Sequence, residues 1–333
     1  MINPLNEFHP SDQTGIDLLT AFFHDPDVEA MTMYDGNIFV ERQGQREKVS
    51  TLPNRQATQW IHDIIRHCHA EDQESQPLLT FTWPENDARI NIVHGIDSQP
   101  EIITIRKPRD ESPADLAALI QANVLTPEAS RFLLTAIQTH RHILITGAGG
   151  SGKTSVLRAL AEAGMNSQDR VAVLEDFDEL RLAHPNCRHW VAEEPTTLHD
   201  LVPRALSMCP DHIIVGELHG LEAGDFLEAG LTESAGLLAT MSADRLDGLA
   251  YRLFWAMATD NHWDASRYDV LAAQIAQAVD LIVHMEYLPE KRGNWRFRIS
   301  HIVQAIPDGS VQPLFQWSPH QQALVRVDEG RAQ

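Results

Sequence analysis

Basic residues are scarce in this 333-residue chain: 26 Lys and Arg stand against 47 Asp and Glu, a net charge of −21. A protein whose main task is to grip a phosphate backbone needs the opposite sign, so nucleic acid is a poor candidate for the main direct ligand. Cysteine is scarcer still. Cys68, Cys187 and Cys209 lie far apart in sequence, which fits reduced thiols and cannot build a four-cysteine zinc module. No run of about 18 uncharged apolar residues occurs, which excludes a spanning helix in this sequence. The opening MINPLNEFHPSDQTGID has no basic stretch followed by an apolar one, so no signal peptide is expected and the expected location is the cytoplasm. Internal repeats and low-complexity tracts are missing too. What remains, 43% apolar and 22% charged residues, is a globular composition long enough for two domains.

The pattern divides near residue 108. The first part predicts a helix over Gly15–Phe23 and a hairpin of Val28–Met33 and Asn37–Arg42 around Asp35-Gly36. A helix over Arg55–Ala70 follows, then strands over Leu78–Trp83, Ala88–His94 and Glu101–Ile105. The string RKPRDESP has nothing apolar to bury and reads as a linker, with a helix starting near Pro113 behind an Ser112 N-cap. The expected domains are therefore 1–105, smaller and α+β, a linker over 106–112, and 113–333. In the last, strands at His142–Thr146, Val171–Glu175, His212–Glu217, Leu237–Met241, Leu281–Tyr287 and Trp295–Val303 alternate with helices. The helices are Pro127–Thr139, Lys153–Ala163, Leu198–Met208, Leu221–Leu231 and Val270–Gln277. Such alternation implies an α/β domain with a mostly parallel sheet covered by helices on both faces.

The strongest chemical signal is Gly147-Ala148-Gly149-Gly150-Ser151-Gly152-Lys153-Thr154. It fits G-x-x-x-x-G-K-[ST] with a strand before it and a helix after it, the context that a phosphate loop requires. Gly147, Gly149, Gly150, Ser151 and Gly152 bring backbone N–H groups toward phosphate oxygens at the positive end of the helix. Lys153 is placed to reach the terminal phosphates of ATP or GTP. Thr154 is placed in a Mg²⁺ shell, with water-mediated help from Glu217 or Glu175. The apolar run Ile213–Val215 ends in Gly216-Glu217, a strand delivering a carboxylate able to orient a water. One strand, Val171–Glu175, intervenes between the two motifs, which points to the additional-strand, catalytic-glutamate class of ATPases. The acidic stretch LEDFDEL at 174–180 reads either as a water- and Mg²⁺-handling element or as an acidic surface loop.

Together these segments resemble the type II/IV secretion NTPase superfamily, most closely the traffic ATPases of type IV secretion systems. GAGGSGKT is similar to its Walker A and LEDFDEL to its Asp box. RALSMCPDHIIVGELHG at 204–220 resembles its R-x(5)-PD-x-I-x-VGE pattern, and TESAGLLATMSAD at 232–244 its His box. The N-terminal DPDVEAMTMYDGNIFVERQG, ARINIV at 88–93 and ITIRKP at 103–108 join in. The resemblance implies a RecA-like P-loop domain behind an N-terminal α+β domain, and a homo-hexamer with nucleotide held between the domains. It also implies partners among other secretion-system subunits, and peripheral contact with the inner membrane. Carried over, Glu217 is the Walker B acid, Glu175 and Glu179 belong to the Asp box, and Arg106 reaches the phosphates. Arg204 and Arg252 are candidates for an arginine acting on a neighbouring subunit's nucleotide. The chain departs from the family where Glu233-Ser234 and Ser242 replace box histidines, and where His219 replaces an arginine, a fixed cation exchanged for a titratable imidazole.

The function expected is a hexameric ATPase using Mg-ATP hydrolysis to drive domain motion, for substrate translocation or machine assembly. Hydrolysis is expected to be slow or conditional given the altered box. Two alternatives remain beside it: a nucleotide-gated, non-catalytic scaffold of the same machine, and a type II secretion or type IV pilus motor. His62, His67, Cys68 and His69 resemble a metal cluster only superficially. Helical spacing of Trp60, Ile61, Ile64, Ile65 and Cys68 turns these inward and predicts His62, Asp63, Arg66 and His67 in water. Trp255 and Trp263 are read as core or subunit-contact residues.

Overall fold

The structure is a computed structural model that describes residues 15–42, 45–68, 70, 76–85, 88–94, 101–107, 115–193, 195–232, 235–257, 268–289, 295–308 and 310–327. It divides into two compact units, Met1–Glu111 with Pro289–Trp295, and Ser112–Leu288 with Arg296–Gln333. Beyond Lys107 the expected linker, with its Ser112 cap, lies outside the described residues, as do His69, Glu233, Ser234 and Trp263.

The first unit carries α1 (Gly15–His24), β1 (Ala30–Tyr34), β2 (Asn37–Arg42), β3 (Gln45–Thr51), α2 (Asn54–His67), β4 (Leu78–Thr82), β5 (Arg89–Val93) and β6 (Ile102–Arg106). Its strands form one antiparallel sheet in the order β3-β2-β1-β6-β5-β4. Alternation decides which side chains enter the core. Met31 and Met33, Ile38 and Val40, Ile90 and Ile92, Ile103 and Ile105 point to one face and meet Leu19 and Phe22 of α1 and Trp60, Ile61, Ile64 and Ile65 of α2. The β1–β2 turn is built at Asp35 (φ 48°) and Gly36 (φ 71°), the pair of left-handed residues a two-residue hairpin needs. β3 was not expected. Its sequence QREKVST is mostly exposed at the sheet edge and has no apolar alternation to betray it.

One sequence expectation in this unit needs correcting. Cys68 packs against the rim of the core, as expected, but His67 is only partly exposed to water. Its ring stacks on Trp83 at 4.3 Å between centroids, and its Nε2 meets Glu85 Oε1 at 2.8 Å. A flat aromatic partner and a carboxylate at the helix end hold an imidazole that spacing alone sends to solvent.

The second unit comprises α3 (Leu116–Gln121), α4 (Pro127–Gln138), β7 (Ile143–Gly147), α5 (Lys153–Gly164), β8 (Val171–Glu175), β9 (Cys187–Val191), α6 (Leu198–Leu206), β10 (His212–Leu218), α7 (Glu222–Thr232), β11 (Gly236–Ser242), α8 (Leu249–Met257), α9 (Tyr268–Ala278), β12 (Leu281–Pro289), β13 (Trp295–Ala305), β14 (Val311–Ser318) and β15 (Ala323–Arg326). The sheet order is β15-β14-β13-β12-β7-β11-β10-β8-β9. From β12 to β9 the pairs are parallel, and β13–β14–β15 are antiparallel to one another.

Each central strand divides its residues between two cores. Leu144, Leu174, Val215, Ala239 and Ile282 face the layer built with α6, α7, α8 and α9. Ile143, Ile145, Val173, Ile214, Leu238 and Val283 face the layer built with α3, α4 and α5. A strand buried on both faces has no polar side to show, which is why these segments read as continuous apolar runs. β9, β14 and β15 were not expected, and Trp255, expected as core or subunit contact, is 66% exposed on α8 and outside the core of its own chain. Among the described residues, no helix is long and apolar enough to cross a membrane.

Candidate functional site

The Gly147–Thr154 loop joins the end of β7 to the start of α5. Gly150 (φ 74°) and Gly152 (φ 82°) take the left-handed conformation, and no side chain caps α5 at Gly152. The first N–H groups of the helix are thereby left to an external acceptor, at its positive end. Gly152 is required twice over, because a Cβ there would also lie 2.7 Å from the Phe297 ring. Gly149 is exposed, with open space where a Cβ would stand. From the side, the Tyr287 hydroxyl donates to the Gly150 carbonyl. Ser151 is fully buried and its Oγ has no hydrogen-bond partner. These features suit a polyphosphate: donors converge, the approach is open, and one buried hydroxyl is unmatched.

Lys153 is the centre of the arrangement. Its Nζ donates to Gly147 O (3.2 Å), Ala148 O (3.0 Å) and Ser242 Oγ (3.2 Å). Burial pulls its pKa below the usual lysine range, and the nearby Glu217 and Asp244 carboxylates act in the opposite sense. Ser242, at the end of β11, passes its own proton on: its hydroxyl donates to Glu217 Oε1 at 2.5 Å. One serine therefore links the loop lysine to the acid of β10. Thr154, half-buried in the first turn of α5, sits next to Lys153 on the same rim.

Glu217 owes its place to a fault in the sheet. The β10–β11 register runs in step from His212 to Val215 and shifts before Leu218, so Gly216 and Glu217 occupy an irregularity. Such breaks re-aim a side chain at a strand end. Thr240 Oγ1 ties the fault down by donating to Gly216 O at 2.6 Å.

Glu175 ends β8, beside Gly216; a Cβ at 216 would meet its Cγ at 3.0 Å, so the glycine makes room for the acid. Glu175 is 3% exposed. Its Oε1 accepts from the Leu180 and Glu179 N–H groups at 2.9 and 3.3 Å, whereas Oε2 has no hydrogen-bond partner. Burial pushes its pKa up to about 7, against the pull of those two N–H groups. The other acids of the 174–180 stretch disperse. Asp176 pairs with His219, Asp178 with Arg181 at 3.2 Å, and Glu179 is exposed.

His219 departs from its expected behaviour. Its Nε2 lies 2.8 Å from Asp176 Oδ2 and its Nδ1 3.4 Å from Glu222 Oε1, and these two carboxylates push its pKa up to about 10. A histidine gripped in this way carries its charge across neutral pH, much like the arginine that the resemblance leads one to expect. Of the candidate arginines, Arg252 donates from Nε to Ser242 O at 3.0 Å, next to the Lys153–Ser242–Glu217 link. Arg204 is exposed near the end of α6. Arg106 is exposed at the end of β6 in the first unit. Sequence reasoning missed His189, Tyr287 and Phe297; each lies on a strand whose pattern says nothing of what the side chain faces.

Comparison with known proteins gives the family and the fold. The family described as "Type II/IV secretion system protein" matches residues 80–303. A probable conjugal transfer protein TrbB of Sinorhizobium fredii is 26% identical over 281 residues, covering 83% of this chain and 82% of that protein. The type IV secretion system protein PtlH of Bordetella pertussis is 28% identical over 250 residues, covering 66% and 73%. Among solved structures, the Legionella pneumophila ATPase DotB superposes with a TM-score of 0.62 at 19% identity, over 88% of this chain and 82% of that one, a likeness of fold.

Proposed function

The chain belongs to the type II/IV secretion system protein family, and from that premise we propose that it is an ATPase of the type IV secretion branch. In this reading it works as a homo-hexamer with other subunits of the machine, peripheral to the inner membrane on its cytoplasmic side, and hydrolysis drives motion between its domains. One observation carries the reading: Ser242 Oγ joins Lys153 Nζ (3.2 Å) to Glu217 Oε1 (2.5 Å) at the mouth of the glycine loop. A loop lysine held by the acid of a neighbouring strand is what phosphoryl transfer needs at the point where charge moves.

In this reading the residues divide the work. Backbone N–H groups from Gly149 to Thr154 would receive the phosphates, Lys153 would exchange its carbonyl contacts for terminal phosphate oxygens, and the Thr154 hydroxyl would hold Mg²⁺, which when bound would supply charge neutralisation on the phosphates. Glu175 is the candidate base. A carboxyl with a pKa of about 7 has both the vacancy for a proton and the strength to take one at neutral pH. Glu217 orients the lysine through Ser242, and Arg252, anchored on Ser242 O, adds positive charge beside it. Arg106, at the end of β6, is proposed as a phosphate contact, and Arg204 and Arg252 compete for the role of an arginine acting across a subunit boundary.

A second reading has its own observation. Ser242 offers a neutral hydroxyl at a place where the resemblance leads one to expect a histidine, which suits a nucleotide-gated scaffold that binds without turnover. Steady-state phosphate release with Mg-ATP separates the two. Wild type is expected to turn over, with release lost in both Lys153→Ala and Glu217→Gln. ATP binding that depends on Lys153 without any release establishes the scaffold instead.

A further inference from the structure

His189 lies on β9, the strand at the end of the large sheet, and faces the end of β8 across one ladder step, His189 being paired with Val173. Its Nδ1 is buried and has no hydrogen-bond partner, although two carboxylates stand close. Glu175 Oε2 and Asp178 Oδ1 are each 3.9 Å away, beyond hydrogen-bond reach. The oxygen on Glu175 is itself buried and unmatched. Two polar atoms withdrawn from water that point at one another without bonding are costly to hold, and a feature of that cost calls for a ligand between them.

The three ligand atoms, one nitrogen and two carboxylate oxygens, lie within 4.8 Å of one another. Donors about 2.1 Å from a common ion lie about 3.4 Å apart in a tetrahedral shell, so the three side chains would draw in by some tenths of an ångström to more than about 1 Å on binding. The remaining contacts fix the donors as a metal site fixes them. Glu175 Oε1 is held by two backbone N–H groups, which leaves Oε2 as the projecting oxygen. Asp178 Oδ2 is engaged by Arg181 Nε at 3.2 Å, which leaves Oδ1 turned to His189. His189 Nε2 lies 3.4 Å from Cys187 Sγ. A thiol sulfur there is a weak acceptor for an Nε2–H, and that tautomer presents the Nδ1 lone pair to the ion.

We propose that Glu175 Oε2, Asp178 Oδ1 and His189 Nδ1 form a binding site for a first-row transition dication of the zinc class, with water in the remaining position. An imidazole with two carboxylates suits such an ion, whereas Mg²⁺ demands an all-oxygen shell and keeps its water. Asp178 is exposed and His189 partly so, which opens a path for entry and for the water ligand. The site stands whether or not the chain hydrolyses ATP. Should the proposed reaction use Glu175 as its base, an ion here occupies the oxygen the reaction needs.

The test is a Co²⁺ titration of the full chain in excess Mg²⁺ and without nucleotide, followed by visible d–d absorption and by displacement with Zn²⁺. One equivalent of Co²⁺ is expected to saturate the protein and to be displaced by Zn²⁺. His189→Gln and Asp178→Asn, both at accessible positions, are each expected to weaken binding by ~10-fold or more, with circular dichroism unchanged. Lys153→Ala is expected to bind Co²⁺ as wild type does, which separates this site from the nucleotide loop. Absence of saturable Co²⁺ uptake in wild type, or uptake that His189→Gln leaves unaltered, overturns the site.

Discussion

Burial makes the charge of Glu175 costly to the fold. A carboxyl whose folded pKa is raised from 4.5 to about 7 favours the neutral form in the native state. The sign follows from linkage: below the unfolded value both states are protonated and no cost exists. The cost grows as pH rises from about 4.5 to 7 and is constant above, at about 3 kcal/mol. Glu175→Gln keeps the shape and removes the charge. It is expected to raise stability at pH 8 by up to that amount, and to lose the advantage below about pH 4.5, in denaturant titrations run at both pH values. A Gln variant no more stable than wild type at pH 8 would mean that Glu175 is not strained. His219 shows the opposite economy, its charge retained by Asp176 and Glu222.

At the scale of elements, a capping box shows what local sequence decides. The Thr197 side chain accepts from Asp200 N while the Asp200 carboxylate accepts from Thr197 N at 2.9 Å, and α6 begins there. Thr197→Ala is expected to cost about 1 kcal/mol in equilibrium unfolding, with Leu198, Leu201 and Val202 still buried. Most elements could be read in advance for the same reason, that their cause is local. The apolar runs of β7, β8, β10, β11 and β12, the Gly-Lys-Thr turn into α5 and the Asp35-Gly36 hairpin all announce themselves. What could not be read depends on partners distant in sequence. β3 is polar, β9 (CRHWV) is mixed, and β14 contains Pro313, so each is a strand only because a neighbour's ladder accepts it. The candidate site divides in the same way. Lys153, Glu217 and Glu175 are legible from motif and strand end. Ser242 as the link between the first two, and His189 opposite the third, require the folding of β11 and β9 against strands far off in the chain.

Among the described residues, the buried apolar side chains fall into three clusters. One cluster holds Leu19 to Ile105, and two others fill the faces of the large sheet from Leu119 to Leu324. Ile64, fully buried in the first, is therefore a probe of that unit alone. Ile64→Ala is expected to cost 2–5 kcal/mol in the N-terminal unit. Saturating Mg-ATP at about 100 times Kd should still stabilise the other unit by roughly 2.7 kcal/mol. Calorimetry of both proteins with and without nucleotide checks this, and a nucleotide shift that vanishes in the variant would show that the units do not hold separate stabilities.

The unmatched oxygen at the end of β8 has a bearing on how such a chain drifts. Propagated under selection for heat resistance alone, a population would discard the acid at position 175 early, because an amide there removes a burden and disturbs little around it. Where a lineage keeps the acid, generation after generation, it does so against a standing gradient, and the persistence measures how much the organism needs that one oxygen.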